Sequence, residues 1–264
     1  MPEFIAWIFV ALIGLCIGSF ANVCIYRLPK KMSIVRPRSS CPACHTAIKP
    51  WHNIPLFSFV FLRGRCAYCG ARISWRYPAI ESITAILFIL AYADLIANRG
   101  SLVQFIAALY LSTVFLIIFF IDLDFKIIPD SLSVPGIIIG LGISFLPGYP
   151  LRWLDSLIGL LVGGVLFLAV AELGERIFKK ESMGGGDIKL AAMIGAFVGW
   201  KGILLVLGIA SFLGAVIGGT ALALAKDKAS ARMIPFGPFL VIAALIVYYR
   251  GPEIIDAYLR FIGR

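Results

Sequence analysis

Long apolar runs separated by short polar stretches dominate this chain. Runs of about 17–25 apolar residues, the length that crosses a bilayer as a helix, fall near 4–26, 78–97, 102–121, 154–178, 202–225 and 234–249. Two weaker runs lie near 131–148 and 187–200. The pattern predicts an all-α integral membrane protein with about eight transmembrane helices. The first run follows Met1-Pro2-Glu3, without a basic leading region, and has no small-x-small exit. It is therefore expected to remain a transmembrane helix rather than be removed as a signal peptide. The expected domains are the first helix (1–26), a polar cytoplasmic loop domain (27–77) and a seven-helix membrane domain (78–264). The mixed stretch 250–264 suggests a short interfacial helix.

Composition and charge sharpen this reading. The chain is 61% hydrophobic, against roughly 45–50% for soluble domains. With the N-terminus outside, the inner loops collect all but six of the 24 Lys and Arg residues; the outer side keeps Arg99, Arg152, Lys201, Arg250, Arg260 and Arg264. That asymmetry is the positive-inside signal. It accounts for the net charge of +10, with membrane lipid as the partner, and no nucleic-acid partner is expected. Glycines four apart, at Gly14/Gly18, Gly136/Gly140, Gly159/Gly163, Gly195/Gly199 and Gly214/Gly218, predict close helix packing. No internal repeat is evident.

The loop 27–77 is basic, lacks Asp and Glu, and holds four of the six cysteines and both histidines. A segment this small needs a staple. Cys41-Pro-Ala-Cys44 and Cys66-Ala-Tyr-Cys69 give two knuckles, each able to hold one side of a tetrahedral zinc. On the cytoplasmic side, where thiols stay reduced, metal is favoured over disulfides. His45 and His52 are expected at the surface or beside the ligands, and Cys16 and Cys24 as buried apolar side chains of the first helix.

Ionisable groups at the membrane edge are functional candidates. Asp122 continues the helix 102–121 and so sits on a rigid element; Asp124 is expected to be solvated or paired with Lys126, and Asp130 to cap the next helix. Asp187 closes Gly184-Gly185-Gly186-Asp187 at the start of an apolar segment. It suits a helix cap and a catalytic acid equally, and the glycines would let an extended substrate backbone approach. Lys189 is a possible partner for Asp187. Glu81, Glu172 and Glu175 are expected to anchor helices near basic residues. Two neighbouring carboxyls repel when both are ionised and so share a proton, one acting as base toward water and the other as acid toward a scissile carbonyl.

Several motifs, in order, resemble one known family. They are Gly18-Ser19-Phe20-Ala21-Asn22-Val23-Cys24-Ile25-Tyr26-Arg27-Leu28-Pro29, both CxxC pairs, Asn53-Ile54-Pro55, Leu62-Arg63-Gly64, Arg76-Tyr77-Pro78 with Glu81, Asp122 followed by Ile128-Pro129-Asp130, Gly184-Gly185-Gly186-Asp187-Ile188-Lys189-Leu190, and Pro235-Phe236-Gly237-Pro238. Where the family usually carries a larger apolar residue, this chain has Ala21. The chain resembles the bacterial type IV prepilin peptidases, GxGD-type membrane aspartyl proteases. The resemblance implies Asp122 and Asp187 as the catalytic pair and Gly184, Gly185 and Gly186 beside the substrate. It also implies prepilins or type II secretion pseudopilins as substrates, cut after a glycine on the cytoplasmic face of the bacterial inner membrane. Many members then N-methylate the new terminus from S-adenosylmethionine. The cysteine loop is typical of those bifunctional members, though no soluble-type methyltransferase glycine fingerprint marks a donor site. The competing readings are a carrier or channel with a cytoplasmic zinc module, which would place acids deeper in the spans, and a scaffold whose aspartates only cap helices.

Overall fold

In a computed structural model the described residues are 3–97, 100–179, 184–224 and 235–263. Arg99, Lys180, Lys226, Lys228, Arg232 and Arg264, which enter the charge count above, lie outside them. Eight helices are described: α1 (Glu3–Arg27), α2 (Phe57–Phe61), α3 (Arg76–Ala97), α4 (Leu102–Phe125), α5 (Asp130–Ile143), α6 (Trp153–Phe178), α7 (Gly185–Leu224) and α8 (Gly237–Phe261). The described residues contain no β-strand beyond two isolated bridges. The chain divides into two compact units, Met1–Ile117 and Ile118–Arg264, with the boundary inside α4.

Six helices are long and apolar enough to cross a membrane, namely α1, α3, α4, α6, α7 and α8, while the 14-residue α5 is shorter. The two segments expected at 187–200 and 202–225 run together in α7. Its backbone breaks at Gly199, with φ 73° and ψ 178°, a conformation open in practice to glycine alone. The interfacial helix expected at 250–264 is not separate, because α8 continues through Gly251-Pro252 to Phe261.

In the first unit, α1 packs on α3 through Gly14, whose missing Cβ leaves room for the Ala85 backbone, and Gly18, which faces Glu81 and Thr84. In the second, α6 and α7 meet backbone to backbone: a Cβ on Gly159 or Gly195 would strike the other's carbonyl oxygen, and one on Gly163 the carbonyl of Ala191. Gly136 and Gly140 of α5 give way to Met193 and Phe197. Ser156 ties the same interface with a 2.7 Å hydrogen bond from its hydroxyl to the Ala196 carbonyl. The small-residue spacing thus marks packing at four of the five pairs. At the fifth, the nearest described atoms to a Cβ on Gly214 belong to the Phe236 and Phe239 rings, at 3.6 Å and beyond, and none lies within 4 Å of one on Gly218.

This difference gives an expected outcome. Gly195→Ala must push α6 and α7 apart and should lose about 1–3 kcal/mol of stability. Gly218→Ala should be neutral or slightly stabilising, as a helix interior favours Ala over Gly. Unfolding in mixed detergent micelles compares the two, and equal stability would mean that the backbone contact contributes nothing.

Candidate active site and metal centre

Three helix ends of the second unit converge. Asp122 lies one turn before the end of α4 and is only 4% exposed. Its carboxylate accepts the backbone N–H of Gly237, the first residue of α8. The N–H groups of a first helical turn have no partner within the helix, and that end carries the positive pole of the helix dipole. A buried carboxylate is thereby both satisfied and stabilised. Asp187, the third residue of α7, accepts the Gly184 N–H while its own N–H donates to the Gly184 carbonyl at 3.0 Å. This is half of a capping box, so the capping reading of Asp187 is correct as far as it goes. The Asp122 charge also acts directly on Asp187. Capping and pairing coexist in the one residue.

The neighbours explain the glycines. A Cβ on Gly237 would fall on the Asp122 carboxylate and lie 3.4 Å from Ile128 Cδ1. A Cβ on Gly186 would lie 2.9 Å from Ile128 Cβ. Buried Ile128 therefore lies against the backbone of α8 at Gly237, which faces Asp122, and of α7 at Gly186, next to Asp187. Among the described residues nothing lies within 4 Å of a Cβ on Gly185, and the nearest atom to one on Gly184 would be Asp187 Oδ2, at 3.6 Å. An extended peptide has room to approach there. Ile128 and Gly237 were quoted in the sequence only as parts of motifs. A Gly-Pro pair at a helix start after a polar stretch was the available signal for Gly237.

Other expectations change. Lys189 does not pair with Asp187 but holds Asp130 through both carboxylate oxygens, at 2.8 and 2.7 Å. Asp130 is the first residue of α5, and the N-cap position before it is Pro129. The ion pair ties the Ile128-Pro129-Asp130 turn to the first turns of α7. Asp124, two residues beyond Asp122, is exposed. Glu172 does meet a base, Arg176, at 3.9 Å. Glu81 instead is buried in the first unit and accepts the Leu56 N–H at 2.9 Å. Cys24 is buried as expected, but Cys16 is exposed.

The first unit carries the candidate metal centre. Ser40 pairs with Ala47, and Arg65 with Arg72, each bridge closing a knuckle. Within them the Cys41 N–H donates to the Thr46 carbonyl and the Cys66 N–H to the Ala71 carbonyl. The residues after Cys44 and Cys69, His45 and Gly70, both have positive φ. The two knuckles are thus a structural repeat that the sequence hides, since they share little besides the cysteines.

The ligand atoms of Cys41, Cys44, Cys66 and Cys69 all lie within 4.8 Å of one another, and Cys41 Sγ is 3.8 Å from Cys69 Sγ. Four thiolates about 2.3 Å from a tetrahedral zinc would be separated by ~3.8 Å, so the donor set fits such an ion. Hydrogen bonds from Thr46 lower the Cys44 pKa to about 6, and the Cys69 and Tyr68 N–H groups lower that of Cys66. The Ala71 N–H acts the same way on Cys69, but burial and the neighbouring thiols outweigh it and raise its pKa to about 11. Clustered thiols resist losing all their protons, and a dication removes that conflict.

Comparison with known proteins agrees with this arrangement. A family model described as Bacterial Peptidase A24 N-terminal domain matches residues 12–95, and one described as Type IV leader peptidase family matches residues 109–219. A Myxococcus xanthus protein named prepilin leader peptidase/N-methyltransferase is 42% identical over 82% of this chain, which spans 63% of that relative's length. Proteins of the same name from Aeromonas salmonicida and Pseudomonas aeruginosa are each 36% identical over 96% of this chain, covering 94% and 93% of their own lengths. No solved structure matches the chain. With both family models and near full-length relatives in register, the chain belongs to the type IV leader peptidase family.

Proposed function

We propose that the protein is a membrane aspartyl endopeptidase that removes the leader of prepilins or pseudopilins and then N-methylates the new terminus. The observation that carries the reading is the pair Asp122 and Asp187, electrically coupled and seated at converging helix ends beside a glycine-lined approach. In hydrolysis the ionised carboxylate takes a proton from water, which attacks the scissile carbonyl. The protonated partner donates to the carbonyl oxygen; collapse of the tetrahedral species returns that proton, while the proton taken from water passes to the leaving nitrogen and the amine of the mature chain departs. The Gly237 and Gly184 N–H groups hold the two carboxylates in place throughout.

Both acids lie at helix ends rather than in mid-span, which favours a peptidase over a carrier. The eight apolar segments, with α7 counted as two around Gly199, are read as eight spans with the N-terminus outside. Asp122, Asp187 and the cysteine module then face the cytoplasm of a bacterial inner membrane. Zinc is the ion assigned to the four cysteines in the module 27–77, and the seven-helix part 78–264 carries the peptidase. S-adenosylmethionine, when bound, supplies the methyl group. The named activity of the relatives supports methyl transfer here.

Incubating the purified protein with a prepilin and reading the products by mass tests cleavage, and labelled S-adenosylmethionine tests methylation on the cleaved product. Gly237→Ala should leave the fold intact yet reduce cleavage about 100-fold, since a displacement near 1 Å at a catalytic group has that effect. Unchanged cleavage would remove Gly237 from the site.

A further inference from the structure

The short helix α2 presents its apolar face outward. Phe57, Val60 and Phe61, spaced i, i+3, i+4, are exposed, Phe61 at 82%, whereas Ser58 is buried and donates to the Trp51 carbonyl at 3.1 Å. That spacing ordinarily faces a core. Trp51 and Trp75 extend the surface, and Trp75, 77% exposed, leans on Phe59 with ring centroids 4.7 Å apart.

Two observations fix the level of this surface. The Leu56 N–H, at the start of α2, donates to Glu81 Oε2 at 2.9 Å. Glu81 lies five residues into α3, about 7–8 Å along its axis. Trp75 immediately precedes α3, whose 22 residues give a length of about 33 Å, close to a hydrocarbon core of roughly 30 Å. Helix α2 therefore lies beside the first turns of a membrane span, not above them.

Charge identifies the occupant. The segment 27–77 contains no Asp or Glu. Lys49 Nζ stands 5.4 Å over the Trp51 ring, and exposed Arg63 lies just past Leu62, the C-cap of α2. Outward aromatics at the membrane edge with basic flanks match an interfacial anchor over anionic headgroups.

We propose that Trp51, Phe57, Val60, Phe61 and Trp75 form a lipid-docking face that seats the cysteine module in the adjacent leaflet, with Lys49 and Arg63 on anionic headgroups. Glu81 is the positioning residue that sets the depth of α2. The proposal rests on α1 and α3 crossing the membrane. That premise is tested separately, because a chain that failed to enter vesicles would be lost before any depth was measured.

The test uses the full chain in vesicles of phosphatidylcholine and phosphatidylglycerol, in variants keeping only Trp51 or only Trp75 and carrying Phe at the other Trp positions. Lipid brominated high on its acyl chains should reduce either emission about twofold, as expected for rings seated at the headgroup–acyl boundary, and acrylamide should quench poorly. Replacing phosphatidylglycerol by neutral lipid should weaken the bromine effect. No bromine quenching with free access of acrylamide overturns the proposal, and equal quenching with neutral lipid overturns its charge component. Acrylamide access that closes only when a prepilin is added assigns the face to a protein partner and also overturns it. Should the variants misfold, carbene footprinting of the unaltered chain in the same vesicles decides: water-side labelling of Phe57, Phe61 and Trp75 contradicts docking, and protection supports it.

Discussion

Asp122→Asn and Asp187→Asn will each lower prepilin leader cleavage by about ten-thousandfold, the upper range for losing a general acid or base. Each removes half of a proton-sharing pair while keeping its shape and its hydrogen bond to Gly237 or Gly184. The expected loss falls on turnover rather than on substrate binding, because the amide still fills the site but cannot exchange a proton with water. Asp124→Asn serves as the contrast. That residue is exposed on another face of α4, and its replacement should leave cleavage within about twofold, as surface changes usually do. Near-equal losses at Asp122 and Asp124 would mean that the loop as a whole, and not one carboxylate, is required.

The second large effect concerns the metal. The purified protein should carry about one zinc per chain, and Cys44→Ser or Cys66→Ser should abolish it, since three thiolates no longer close the site. The module has two knuckles and no acidic residues, and it exposes rather than buries α2. Structural zinc supplies apparent binding energies of about 10–16 kcal/mol in small domains, more than a module of this size can replace by packing. Chelation should therefore open peptide bonds near Cys41 and Cys66 to protease while the helices from α5 onward stay intact. Zinc release should also grow as pH falls, because protons compete for the thiolates. A module equally protease-resistant with and without metal would show that its fold owes nothing to zinc.

Much of the architecture could be read from the chain because apolar length and charge asymmetry are one-dimensional signals. The six strongest apolar runs reappear as the six helices long enough to cross a membrane. The two weak runs do not: 131–148 becomes the shorter α5, and 187–200 joins the following segment across a glycine whose backbone angles no sequence pattern reveals. Helix α2 escaped notice because five residues, four of them apolar, are too few to establish a period along a loop. Asp122 was selected among three carboxylates by its place on a continuous helix, and it is the buried one. Asp187 was ambiguous between cap and acid, and the fold shows it closing half of a capping box with Gly184. Lys189 was only a possible partner for Asp187, its neighbour along the chain, and the fold brings in Asp130 from another helix instead. Gly237 lies far from Asp122 in sequence, so only the fold shows that its missing side chain makes room for the carboxylate.

The central claim is that Asp122 and Asp187 act as one catalytic unit. Single-turnover cleavage of a purified prepilin by Asp122→Asn, Asp187→Asn and the double variant tests it directly. Residues that act as a unit are strongly non-additive. The double variant should therefore be no slower than the slower single variant. Losses that multiply in the double variant, or ready cleavage by either single variant, would contradict a shared site.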